Sequence, residues 1–213
     1  MRDREMFDAN SDGFSEIAQM GNLSLGTRLW QKIGTRSKVA LDFFNIREKR
    51  DGGNMQEYPL HERDVAEAVK HDMRAGALTF ERYFRQYDLL SVFASGQLLN
   101  RDSYYGANKS LSSYGVSKDI TYNTGIQYKG LIGKSTFIVG AETTGSHLTD
   151  KKLGSPDLLN PTYETNPSTG DTIGVTFPHT PNTLVSDQIL TTGGTFAQYE
   201  VGFSKLKATV GAR

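Results

Sequence analysis

Residues 119–128 read DITYNTGIQY. In an extended chain successive side chains point to opposite sides. Ile120, Tyr122, Thr124, Ile126 and Tyr128 therefore share one face, and Asp119, Thr121, Asn123, Gly125 and Gln127 the other. One face is apolar and aromatic, and its reverse is small and polar. A strand of a soluble sandwich fits this pattern, as does a barrel strand with lipid on one side and water on the other.

The same period recurs along the chain. Leu23, Leu25, Thr27, Leu29 and Ile33 alternate with Asn22, Ser24, Gly26, Arg28 and Lys32. Val39, Leu41 and Phe43 alternate with Ala40 and Asp42, until Phe44 breaks the pattern. Leu90, Val92, Ala94, Gly96 and Leu98 alternate with Ser91, Ser95 and Gln97, interrupted by Phe93. Tyr199, Val201 and Phe203 point one way, and Leu206, Ala208 and Val210 follow after a turn. Phe137, Val139 and Ala141 form a shorter strand whose facing the pattern leaves open. Asp64–Arg74 (DVAEAVKHDMR) is rich in helix formers, but Gly76, Leu78 and Phe80 beyond it alternate as a strand. The reading is a strand over the second half, extended back through the first. About eight strands result, most near the roughly ten residues a tilted strand needs to cross a bilayer.

The connections add a second regularity. Gly34–Ser37, Arg85–Asp88, Leu131–Lys134 and Ser204–Lys205 read as tight turns, alternating with long connections over 49–61, 100–117 and 145–190. The last holds five of the six prolines and reads as an exposed, folded-back loop. Nothing in a soluble sandwich makes every second connection long, whereas membrane barrels have short periplasmic turns and long extracellular loops. Trp30, Tyr83, Phe84 and Tyr87 lie beside short turns, where an interfacial aromatic girdle is expected. The fold expectation is an all-β, antiparallel transmembrane β-barrel segment of about eight strands.

Composition narrows the function classes. The 24 basic residues balance 24 acidic ones, which argues against nucleic-acid binding through a basic face. The 22 glycines and 21 Tyr plus Phe favour sheet, and no run of about 18 apolar residues offers a transmembrane helix. No cysteine is present, and residues 1–5 do not begin a signal peptide. Nothing supports catalysis. Gly133-Lys134-Ser135-Thr136 lacks the first glycine of a phosphate loop and precedes a strand, so it reads as a turn. His61, His71, His147 and His179 have no ligand-like spacing.

Two groups are candidate sites. Asp8, Asn10, Asp12 and Glu16 lie in DANSDGFSE, which matches the front of a calcium loop: alternate oxygens converge and a glycine permits the sharp turn. The twelfth position, where an EF-hand carries Glu, is Gln19, so the alternatives are a shorter calcium loop and a simple polar turn. Tyr104, Tyr105 and Tyr114 fall in a polar connection, either as ligand contacts or as packing for the loop.

The stretches DANSDGFSEI (8–17), HERDVAEAVKHDMRAGALTFERYF (61–84), LLSVFASGQLLNRDSYYG (89–106), SKDITYNTGIQY (117–128) and TGGTFAQYE (192–200) resemble the barrel of a TonB-dependent outer-membrane receptor of the Bacteroidetes type, on the cobalamin and siderophore branch. The resemblance implies a barrel of about 22 strands closed by an N-terminal plug. This chain, over 1–213, shows neither the plug nor enough strands, and it stops inside an apparent strand. It is expected to be a partial barrel located in the Gram-negative outer membrane. The partners implied are outer-membrane lipid, a small ligand such as cobalamin or a metal chelate, the TonB complex acting through the plug, and a surface lipoprotein. The competing expectations are a self-contained small barrel acting as an adhesin or structural protein, and a soluble β-sandwich that binds glycans.

Overall fold

The structure is a computed structural model that describes residues 1–85, 87–203 and 206–213. Its main sheet is an antiparallel meander in which each strand pairs with the next: β1 (Arg2–Arg4), β2 (Gln19–Ile33), β3 (Ser37–Gly53), β4 (Val65–Tyr83), β5 (Leu89–Ala107), β6 (Tyr114–Ile132) and β7 (Ser135–Lys152). The excursion that follows β7 carries the short strands β8 (Ser155–Pro156), β9 (Thr162–Thr165), β10 (Thr172–Thr176) and β11 (His179–Thr180), which pair as two nested ribbons. The chain then returns to the main sheet as β12 (Thr183–Phe203) and β13 (Leu206–Ala212). The sheet is open, with β1 at one edge and β13 at the other.

The eight long alternating segments are thus strands, but they are longer than the sequence suggests. β4 runs unbroken from Val65, so the helix formers of Asp64–Arg74 sit in a strand. Pairing along both edges overrides their weak intrinsic preference. The long connections shrink accordingly: 49–61 becomes 54–64, 100–117 becomes 108–113, and 145–190 becomes 153–182. The polar residues at their ends belong to strands that continue past the apolar zone. Tight turns join β2 to β3 and β6 to β7 as expected, whereas the expected turn at Ser204–Lys205 lies outside the described residues.

Register settles which face each residue shares, because directly paired residues project to the same side. Ile126 is flanked by Val92 and Ala141, and Phe80 and Val39 continue that line. Phe137, Val139 and Ala141 therefore belong to the face of Tyr128 and Ile126. On this apolar face Leu25, Leu29, Leu41, Phe43, Leu78, Val92, Ile120, Ile126, Val139 and Tyr199 all stand exposed. The reverse face carries Arg28 paired with Asp42 at 3.1 Å, Lys38 beside Glu81, and Gln97, Asn123 and Gln198. Trp30 and Tyr83, expected in the aromatic girdle, lie on this polar face. A row of aromatics near the short turns does stand on the apolar face. Phe84, Tyr128 and Phe137 have successive centroid distances of 6.5 and 5.7 Å, and Tyr199 pairs with Phe137.

The apolar zone gives way toward the long connections, first through a mixed row in which Asn45, Arg74 and His147 stand among Leu25, Leu98, Ile120 and Ile189. The next row on that face is Arg47, Asp72, Asn100, Lys118, Thr149 and Asp187, each the direct partner of its neighbour. Among the described residues the buried apolar side chains are Ala40, Ala66, Val69 and Tyr104. The sheet is a single layer, with almost no core of its own.

Glycine and aromatic residues meet in direct cross-strand pairs. Phe44 covers Gly26, Phe93 covers Gly125, Phe137 covers Gly130, Tyr122 covers Gly145 and Phe196 covers Gly140. A ring lying over a partner without a side chain stabilises a strand position that glycine alone weakens. A Cβ at Gly125 would come within 2.5 Å of the Phe93 ring, whereas one at Gly194 would meet nothing within 4 Å. Gly125→Ala is accordingly expected to cost about 1–3 kcal/mol through overpacking, and Gly194→Ala almost nothing. Denaturant unfolding in detergent micelles compares the two, and equal stabilities would contradict the ring-over-glycine packing.

Candidate functional site: the long-connection end of the sheet

Three clusters gather where the long connections meet. The first is the N-terminal turn. Asp8 accepts hydrogen bonds from the Ser11 and Gly13 amides at 2.7 and 2.8 Å, and Glu16 accepts one from the Ala9 amide at 2.7 Å. Ser11 and Gly13 adopt left-handed backbone, with φ of 59° and 83°. The turn brings one oxygen each from Asp8, Asp12 and Glu16 within 4.8 Å of one another. That spread suits oxygens sharing one calcium ion at roughly 2.3–2.6 Å. Asn10 takes a different part, since its amide nitrogen donates to Asp12 at 3.0 Å and its oxygen accepts from the Asp12 amide at 3.2 Å.

The turn is anchored on the sheet. Ser15 is buried, and its amide and hydroxyl both donate to the Gly53 carbonyl while the hydroxyl accepts from the Gly53 amide. Gly53 has φ of 113°, and a side chain there would run into the Val65 carbonyl, so only glycine can end β3 this way. Arg63, 5% exposed, organises the adjoining connection. Its guanidinium donates to Asp51 at 2.6 Å and to the carbonyls of Tyr58 and Gln56.

The second cluster lies on the apolar face, beyond the charged row. Tyr104 is 1% exposed and donates to the Ser110 carbonyl at 2.8 Å, and its ring meets Tyr114 edge-on at 4.7 Å. Tyr114 shares a hydrogen bond with His61 Nδ1 at 2.9 Å and packs against His179 at 4.6 Å. Residues from three separate connections are thereby pinned to one another. Burial pushes the Tyr104 phenol above its ordinary value. The same desolvation raises Tyr114, reinforced by Tyr104 and opposed by the His61 hydrogen bond and the Arg63 charge. Both phenols stay protonated and able to donate at neutral pH.

The third cluster lies on the polar face. Tyr105 follows Tyr104 on one strand and so projects to the opposite side; of the three tyrosines the sequence singles out, only Tyr104 and Tyr114 come together. Tyr105 is exposed and accepts a hydrogen bond from Arg101 at 2.9 Å, with the guanidinium 5.8 Å from its ring centre. The pair lines two adjoining hollows of about 500 and 320 Å³. The first is bordered by Arg4, Glu48, Arg50, Glu67 and His71, and the second by Ser117, Asp150 and Lys152. A polar row crosses this trough in register: Asn22, Glu48, His71, Arg101, Ser117, Asp150 and Ser186. Sequence reasoning missed Arg101. The signal available was its spacing from Tyr105, which places both on one side of a strand.

Arg63→Ala leaves Asp51 half-buried without its partner and is expected to cost roughly 3 kcal/mol of local stability. Limited proteolysis should then cut within 54–64, and an uncut connection would contradict the anchoring role. Comparison with protein-family models, with curated proteins and with solved structures gives no match.

Proposed function

We propose that the sheet is part of the wall of an outer-membrane β-barrel, and that the chain belongs to a TonB-dependent receptor importing a scarce ligand such as cobalamin or a metal chelate. One observation carries the membrane reading: an exposed apolar belt on a sheet with almost no core, cut off by a charged row. From Ile120 to Ile132 the belt on β6 runs about 40 Å along the strand at roughly 3.3 Å per residue. At a tilt of about 40° its height is about 30 Å, the thickness of a hydrocarbon core. Lipid is the solvent in which such a face costs nothing.

The polar face then lines the lumen. Arg101 Nε, Asp119 Oδ1, Asn123 Oδ1 and Ser186 Oγ are buried and have no hydrogen-bond partner among the described residues, and all four belong to residues of this face. Water or a plugging domain would satisfy them. The long connections form the outer mouth, held by the Tyr104–Tyr114–His61–His179 cluster, and further strands complete the wall. The receptor reading is supported by the stretches that resemble this family and by the trough at the mouth. A TonB-coupled plug would supply the gating step, with a surface lipoprotein as an outer partner. The same reading assigns calcium to Asp8, Asp12 and Glu16, with Asn10 orienting Asp12, so that the ion fixes the turn at the mouth.

The chain has no cysteine, so single-cysteine spin labels report cleanly. In lipid bilayers a label at Ile126→Cys should be accessible to oxygen, and one at Gln127→Cys to a water-soluble relaxant. Water accessibility at both positions would overturn the membrane reading. Ile126→Arg should cost about 2–4 kcal/mol near the midplane. Millimolar calcium should slow proteolysis within residues 5–18, and Asp12→Asn should abolish that protection. Identical cleavage in calcium and in chelator would remove the ion from the proposal.

A further inference from the structure

Two guanidiniums border the trough without an ion pair among the described residues: Arg4, which donates to the Ala18 carbonyl at 3.0 Å, and Arg101. Arg50 is paired with Glu48 at 2.8 Å, and the Asp150 carboxylate is taken by the Ser117 hydroxyl at 2.6 Å. Arg101 lies between these two assemblies, with His71 and Ser117 as its direct cross-strand neighbours. Among the described residues it makes no ion pair. Its one side-chain hydrogen bond goes to Tyr105, and its Nε is buried without a partner. A partly buried guanidinium with no counter-charge is costly, and an anion reaching its open edge offsets that cost. The fork of a guanidinium is matched in shape and charge by a carboxylate or a phosphate.

We infer that Arg101, backed by the Tyr105 ring, is an oxyanion-binding subsite for a carboxylate- or phosphate-bearing ligand at the mouth of the polar face. This deepens the receptor reading and rests on it for the word mouth. The guanidinium edge that Tyr105 does not occupy grips the oxyanion, while Tyr105 holds the plane of the fork by hydrogen bond and cation–π contact. The Ser117 hydroxyl, already donating to Asp150, marks the inner limit of the subsite. Lys152, across the second hollow, adds a second positive charge without an ion pair among the described residues. Glu67 pairs in register with Tyr105 and lies away from the His71–Arg101–Ser117 row, so it confines the anion to that row.

The test is calorimetric titration of the full chain in detergent with citrate and, separately, with inorganic phosphate. Citrate is expected to bind the wild type. Arg101→Gln should weaken binding at least tenfold, whereas Arg101→Lys should retain part of it, because charge survives while the fork is lost. Arg36→Gln, at a short turn on the opposite end of the sheet, should bind as the wild type does. Tyr105→Phe keeps the ring but removes the hydroxyl that holds the fork, so it should weaken binding less than Arg101→Gln does. An unchanged circular-dichroism spectrum and denaturation midpoint in detergent show that the Arg101 variants remain folded. Phosphate binding with the same dependence on Arg101 extends the subsite to phosphoryl groups, and citrate alone restricts it to carboxylates. Binding unaffected by Arg101→Gln, or no binding of either anion, overturns the inference. The spin-label experiment fails independently. Labels that contradict the membrane leave anion binding standing, and lost anion binding leaves the wall in place.

Discussion

The whole molecule depends on one register. Each strand is locked to its neighbours so that the alternating apolar series from Leu25 to Val210 emerges on one side, while Trp30, Phe44, Phe93 and Phe196 stand on the other. A slip of a single residue in any pair would exchange the two faces beyond that point. A soluble sheet is corrected by its core, since a slipped strand buries charge. This sheet has almost no core, so the correction comes from cross-strand contacts within one layer. The Arg28–Asp42 pair and the rings seated over glycines are such contacts, and each fits in one register only.

Length is the second constraint. The strands continue well past the apolar belt, and their outer halves carry charge on both faces. On the apolar face this produces the row from Arg47 to Asp187, and on the polar face the row from Asn22 to Ser186. The end that carries the candidate sites is thus built largely of regular sheet. Its side chains are held by main-chain ladders, a more rigid mount than a free connection. The connections above are tied down separately, by Ser15 on Gly53, by Arg63 on Asp51 and by the aromatic cluster.

This arrangement explains how much the sequence alone reveals. Period-two alternation identifies strands wherever a face is apolar, and so Asp119–Tyr128 and Asn22–Ile33 are legible at once. It fails where both faces are polar, because charge at every position looks like a loop. Asn100–Ala107 and Tyr114–Lys118 were hidden in that way, and with them the trough. The acidic turn was legible because its spacing is local: Asp8, Asp12 and Glu16 do converge. Tyr104 and Tyr105 looked like one group because they are adjacent, yet adjacency on a strand guarantees separation. The neighbours of Arg101 come from two other strands, and no local pattern announces them.

The glycines under aromatic rings give the sheet an asymmetric history of change. At Gly140 the ring of Phe196 occupies the space a side chain would need, and at Gly145 the ring of Tyr122 does the same. An aromatic can shrink while its glycine stays, leaving a shallow gap, but the glycine cannot grow until the ring has gone. Substitutions at these five pairs are therefore ordered in time. Among related chains such positions would vary jointly, two at a time, even though most of the surrounding surface is free to drift alone.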